Sequence, residues 1–215
     1  MRESVDARND LIIQSVRLVL ASASPRRAEL LRAAGFAFDV VVADVDEAIR
    51  AGESPQTYVR RLAAEKSAAA MSPALRDAIV LGADTAVVVD GDILGKPGDD
   101  GEAAAMLERL SGRRHQVMTG VSLRRGAYEV GRVETTDVDF VRLTSADFDW
   151  YVKSGEGRDK AGAYAIQGLA SRFIPRIEGS YSNVVGLPIA CVVELITEIS
   201  GTPPAHAFPS GTTAD

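Results

Sequence analysis

Two arginines stand directly behind a serine and a proline in the run Ser22-Ala23-Ser24-Pro25-Arg26-Arg27. Ser24 suits a helix N-cap and Pro25 the first helical position, so the run predicts a helix opening at the end of a short strand. Such an N-terminus offers unpaired backbone N–H groups and the positive end of a dipole, which suit a phosphate. Two cations in the first turn are unfavourable for the helix itself, a cost that an anionic ligand offsets. The alternative is a solvated arginine pair on an amphipathic helix. Farther on, Val59, Leu62, Ala63 and Lys66 follow i, i+3, i+4, i+7 spacing, which puts Lys66 on the stripe facing the core. A lysine there either extends past the core edge into water or points at an anion. Asp84 and Thr85 interrupt an apolar β-branched run, where a carboxylate costs several kcal/mol unless it is paired, bound to a metal or turned back on its own backbone. Lys96-Pro97 adds a cation on a stiff backbone, and Asp46-Glu47 supplies more acid. Brought together, Arg26, Arg27, Lys66 and Lys96 opposite Asp84 and Glu47 describe a di- or triphosphate site with a divalent cation held by the acids.

Other chemistries lack their residues. The chain has no P-loop pattern, no G-x-G-x-x-G after a strand, no G-x-S-x-G and no H-E-x-x-H. Its 2 histidines, His115 and His206, leave little from which to build a Ser-His-Asp triad or a histidine-ligated metal site. The single cysteine, Cys191, sits in an apolar run and reads as a buried core thiol.

The elements that must hold these residues alternate between helix and strand. A strand is expected at Leu18–Ala21, a helix from Pro25 to Gly35, a strand at Phe38–Ala43 and a helix from Pro55 to about Ala70. Ile79–Gly82 and Ala86–Val89 are expected as two runs broken by Ala83-Asp84-Thr85, with a hairpin turn at Asp90-Gly91 returning through Ile93-Leu94. A helix over Asp100–Leu110 precedes a long antiparallel pair, Gln116–Leu123 with Val130–Leu143, and Ser145 is expected to cap a short helix to Lys153. A glycine-rich loop at Ala161–Gly168, a strand at Phe173–Ile177 and a helix at Leu187–Ile199 complete an α/β or α+β chain with a twisted mixed sheet.

The length of 215 residues suits one to two domains, and 46% hydrophobic with 25% charged residues is ordinary for a globular chain. Residues 1–16 read as an N-terminal extension, 17–200 as one domain and 201–215 as a disordered tail. A net charge of −6 argues against a nucleic-acid or membrane-surface partner. It does not disfavour a small anion, because remote acids are screened over about 8 Å. No stretch reaches the roughly 18 apolar residues of a membrane span, and the N-terminus lacks the pattern of a signal peptide, so a cytoplasmic location is expected.

The strings Leu20-Ala21-Ser22-Ala23-Ser24-Pro25-Arg26-Arg27, Val45-Asp46-Glu47, Leu81-Gly82-Ala83-Asp84-Thr85, Lys96-Pro97, Lys160-Ala161-Gly162-Ala163-Tyr164-Ala165-Ile166-Gln167-Gly168 and Asn183-Val184-Val185-Gly186-Leu187-Pro188 resemble the Maf family of nucleoside triphosphate pyrophosphatases, in order, from about Leu18 to Ile199. The resemblance implies an elongated mixed twisted sheet flanked by helices, with two lobes and a central cleft, akin to the inosine triphosphate pyrophosphatases. It implies hydrolysis of a nucleoside triphosphate to the monophosphate and pyrophosphate with Mg²⁺ or Mn²⁺, and a homodimer. Asp84 becomes the catalytic proton acceptor, and Glu47 its partner in catalysis and in holding the metal. Arg26, Thr85 and Gln167 are tied to substrate choice, Arg27, Lys66 and Lys96 to the phosphate and metal site, and Ser22 and Ser24 to substrate binding. Gln167, rather than an acid, is similar to the branch acting on dTTP and UTP. The same chemistry on other nucleotides, and a nucleotide-binding cell-division regulator without turnover, are the alternatives.

Overall fold

Ile79–Val89 forms one uninterrupted strand of the computed structural model, which describes residues 17–201. The break expected at Ala83-Asp84-Thr85 is absent. A charged residue is tolerated inside this strand because Lys66 neutralises it. The elements are β1 (Leu18–Leu20), α1 (Pro25–Ala33), β2 (Phe38–Val40), α2 (Pro55–Ala69), β3 (Ile79–Val89), β4 (Asp92–Leu94), α3 (Asp100–Leu110), β5 (Arg114–Arg125), β6 (Tyr128–Asp139), α4 (Ser145–Ser154), β7 (Arg176–Glu178), α5 (Tyr181–Val185) and α6 (Ile189–Ile199). The segments expected as an extension and a tail lie outside the described residues, apart from Gly201, as does His206.

The sheet has seven strands in the order β2-β1-β3-β5-β6-β7, with β4 also on β3. β1 runs parallel to β2 and β3, and the remaining pairs are antiparallel, so the sheet is mixed as expected. β5 pairs with β3 from Val80 to Val88 along one edge. β1, against Ile79–Leu81, and β4, against Val87–Val89, therefore share the other edge. Residues 82–86 have no strand neighbour there. A cleft opens at that gap, between a hydrophobic cluster of β1, α1 and α6 and a second built on α3, α4 and the far end of β3.

Helix α2 crosses the sheet at very short range, and two glycines permit it. A Cβ at Gly82 would lie 2.2 Å from the Ala63 carbonyl oxygen, and one at Gly120 would lie 2.1 Å from that of Val59. Both obstacles are backbone, so no side chain could move to accommodate them. The close approach leaves Val59, Leu62 and Ala63 fully buried and carries Lys66 onto Asp84.

Local signals account for most boundaries. Asp90 and Gly91 take φ of 54° and 85°, the two left-handed residues that a two-residue hairpin turn requires. Thr144, not Ser145, caps α4, because Asp147 stands three residues after Thr144 and completes a reciprocal capping box. The expected last helix begins at Ile189; Gly186 (φ 125°) and Pro188 separate it from the short α5, which was not expected. The strand expected at Phe173–Ile177 is delayed past Pro175, which cannot donate to a ladder, and β2 stops at Val40. Cys191 is buried in α6, where burial pushes its thiol up to about 11.

His115 is buried beside Phe140 and Tyr164, with Nε2 2.8 Å from the Tyr164 hydroxyl and Nδ1 without a hydrogen-bond partner. Burial pushes it down from 6.5 to about 4, although Asp139 and Asp137 oppose the shift. Between those values the unfolded chain takes up a proton that the folded chain refuses, so stability falls as pH falls, by up to about 3 kcal/mol. His115→Gln should therefore lose less melting temperature than the parent between pH 7 and 4.5. Equal losses in a calorimetric comparison would place the acid sensitivity elsewhere.

Candidate active site

The β1–α1 junction begins where the Ala21 amide donates to the Leu81 carbonyl at 2.8 Å. The Ser22 hydroxyl then accepts from the Ser24 amide at 3.2 Å and from Arg27 Nη1 at 3.1 Å. Ser24 occupies the N-cap position with extended backbone and Pro25 follows it, but the Ser24 hydroxyl caps nothing; the capping role expected for that side chain is unfilled. Arg26 leans across the cleft to Asp159, at 3.7 Å. Arg27 behaves differently: Nε donates to the Gly186 carbonyl at 2.9 Å, Nη1 to the Ala83 carbonyl at 2.8 Å, and Nη2 to the Thr85 hydroxyl at 3.1 Å. With Ser22, these bonds take four of the five guanidinium N–H groups, so this side chain is mostly committed to the protein.

Lys66 is the meeting point of the acids. Its Nζ lies 2.7 Å from Asp84 Oδ1 and 2.6 Å from Glu47 Oε1, which settles its direction: inward, at carboxylates. Asp84 and Lys66 side chains are each 11% exposed and Glu47 is half-exposed. Burial acts to raise the Glu47 carboxyl, but the hydrogen bond and charge of Lys66, with Lys96 and Arg27 behind, outweigh it and hold the group below the usual carboxylate range. Tyr58, two turns before Lys66 on α2, donates its hydroxyl to the Glu47 carbonyl at 3.1 Å and so anchors the loop that carries Glu47. Burial, then the charges of Asp84 and Glu47, push the Tyr58 hydroxyl up to about 12.

Asp84, Glu47, Ser22, Ser24, Arg26, Arg27, Lys66, Thr85, Lys96 and Gln167 all line one cleft of about 560 Å³. Lys96 and Gln167 are exposed in it and approach from the lobe opposite α1. Five cationic and three acidic side chains line the cleft, so it is locally positive in a chain of net charge −6. Asp159 and Lys160 also line it, paired with each other at 2.5 Å, and so does Tyr164. Lys160 and Tyr164 lie within the motif that ends at Gly168 but carried no assigned role. Tyr58 could have been found from its i, i+4, i+8 relation to Leu62 and Lys66. Among the described residues no three His, Cys, Asp or Glu side chains cluster as a metal cage. Two neighbouring carboxylates do fit a hard cation that completes its shell with water and phosphate oxygens, the usual mode for Mg²⁺.

The model of the family described as Maf-like protein matches residues 17–199. The chain belongs to the Maf-like family. It is 54% identical over 182 residues to a dTTP/UTP pyrophosphatase of Symbiobacterium thermophilum, covering 85% of this chain and 93% of that protein. It is 51% identical over 185 residues to a dTTP/UTP pyrophosphatase of Vibrio parahaemolyticus, covering 86% and 98% respectively. Among solved structures, the Staphylococcus aureus Ham1 protein aligns with a TM-score of 0.47 at 17% identity, covering 86% of this chain and 98% of that one. No helix of the described residues is long and apolar enough to cross a membrane.

Proposed function

We propose that this Maf-like chain hydrolyses nucleoside triphosphates, dTTP and UTP foremost, to the nucleoside monophosphate and pyrophosphate, with Mg²⁺ or Mn²⁺. The observation that carries the reading is the Glu47–Lys66–Asp84 group in a positively charged cleft. Relatives about half identical over most of their length, named dTTP/UTP pyrophosphatases, support it. The family resemblance extends it to a homodimer.

Asp84 accepts the proton of the water that attacks the α-phosphorus, and the bond from that phosphorus to the bridging oxygen breaks. Arg26 and Lys96, the least committed cations, compensate charge gathering on the departing pyrophosphate. The N–H groups at the start of α1 face the same anion. Lys66 orients Asp84 and Glu47 together. Those two carboxylates would hold the divalent cation, which supplies further charge neutralisation at the phosphates.

Gln167 offers the base a donor and an acceptor at once, the complement of the O4 carbonyl and N3–H of thymine or uracil. An acid at this position can only accept. Gln167→Glu is therefore expected to lower the ratio of kcat/KM for dTTP to that for GTP by about tenfold, the effect of one lost hydrogen bond. An unchanged ratio across a panel of triphosphates, read by pyrophosphate release, would remove Gln167 from base reading.

A further inference from the structure

Thr85 and Asp84 are neighbours on β3 and therefore face opposite sides of the sheet. Asp84 faces α2 and Lys66; Thr85 faces α5 and the turn after it. On that second side lies a connected polar network that begins at the cleft, where Thr85, Arg27 and Gly186 line it, and runs inward to Thr119, Asn183 and Thr136, which do not. Thr119 is the cross-strand partner of Thr85, and the two hydroxyls are 2.9 Å apart. Thr119 is fully buried, and its hydroxyl also reaches the Asn183 carbonyl at 3.3 Å. The Asn183 side chain fixes that carbonyl in turn, donating to the Val117 carbonyl at 3.0 Å and to the Thr136 hydroxyl at 2.9 Å. The Thr85 hydroxyl accepts from Arg27 and lies 3.3 Å from the Gly186 carbonyl.

Two consequences follow from counting protons. Thr85 has one hydroxyl proton, and both acceptors within reach, Gly186 and Thr119, belong to the protein. Within the fold Thr85 thus has two acceptors for its one proton. Arg27, with its bonds to Ala83 and Thr85, grips β3 immediately before and immediately after Asp84. The carboxylate is held from behind, through its own backbone.

We infer that Thr119 is a positioning residue of the reaction: its hydroxyl locks Thr85 and, with Arg27, fixes the backbone from which Asp84 projects. The inference rests on the assignment of Asp84 as proton acceptor. Thr119 lies outside the cleft lining, so its effect is carried through Asp84.

Thr119→Val tests this with little risk to folding. Valine has threonine's shape, the Asn183 carbonyl keeps its bond from the Gly186 amide at 2.9 Å, and Thr85 keeps Arg27 and Gly186. Misplacement of a reacting group by a fraction of an ångström is expected to lower kcat about tenfold, with KM for dTTP within about twofold. Thr119→Ser, which retains the hydroxyl, should return at least half of the parent kcat. In the Asp84→Asn background the Val substitution should cost nothing further, because a residue acting through Asp84 has nothing left to position. If T119V melts below the assay temperature, Thr119→Ala takes its place under the same criteria. A kcat for T119V within twofold of the parent, a T119S as slow as T119V, or a multiplied loss in the double variant would each overturn the inference. A parent protein that releases no pyrophosphate from any triphosphate would instead overturn the proposed function, so the two failures are distinguishable.

Discussion

Asp84→Asn is expected to lower kcat for dTTP by about 10²-fold or more, the scale of removing a positioned general base. The amide has the carboxylate's shape and its oxygen can still accept from Lys66, so the strand and the ion-pair neighbourhood survive. What disappears is the proton acceptor and one of the two carboxylates that share Lys66. Its melting temperature should stay within a few degrees of the parent, which separates a chemical defect from a folding one. Turnover within a few-fold of the parent, at saturating nucleotide and metal, would take Asp84 out of the proton transfer.

Lys66→Met is expected to damage both stability and turnover. Methionine keeps the helix propensity and the apolar stem but removes the charge that Glu47 and Asp84 share at 2.6 and 2.7 Å. Stranding carboxylates in a largely buried site costs several kcal/mol; with Glu47 half-exposed, about 2 kcal/mol is the appropriate scale, or roughly 4–8 °C in melting temperature. The pH dependence gives the sign. In the parent, Glu47 sits below its ordinary value of 4.5, so its contribution is present above about pH 4.5 and lost as the pH falls through the lower folded value. Without Lys66 the burial that already acts to raise this group loses its main opponent, and the folded carboxyl takes its proton at a higher pH than in the parent. The stability deficit of K66M should therefore be largest at pH 7–8 and shrink towards pH 5. A deficit independent of pH would show that Lys66 contributes packing rather than charge. Turnover should fall at least tenfold, because the two acids lose their common anchor.

The same residues show how far sequence alone reaches. The cap-plus-proline signals at Ser24-Pro25 and Ser54-Pro55 place α1 and α2 because capping is local chemistry. The i+7 position of Lys66 already leaves two outcomes, and only the close passage over Gly82 and Gly120 selects the inward one. Asp84 reads as a strand breaker in sequence because its counter-charge comes from α2, 18 residues away, where periodicity cannot see it. Arg27 reads as a phosphate ligand, yet most of its donors go to backbone and hydroxyls brought there by β3 and the turn after α5. Thr119 carries no sequence signal at all, since its meaning is a cross-strand register. Asp159 likewise gains meaning only when the cleft brings it opposite Arg26. Local signals set the elements and marked most of the cleft residues; which side chains face ligand and which face the fold is a tertiary fact.

The most direct measurement is phosphorus-31 NMR of dTTP incubated with the full-length protein and Mg²⁺ or Mn²⁺. Cleavage between the α and β phosphates gives equal amounts of dTMP and pyrophosphate, with no orthophosphate at early times, and Asp84→Asn suppresses both products together. Orthophosphate with dTDP, or tight nucleotide binding without any product, would contradict the proposed reaction.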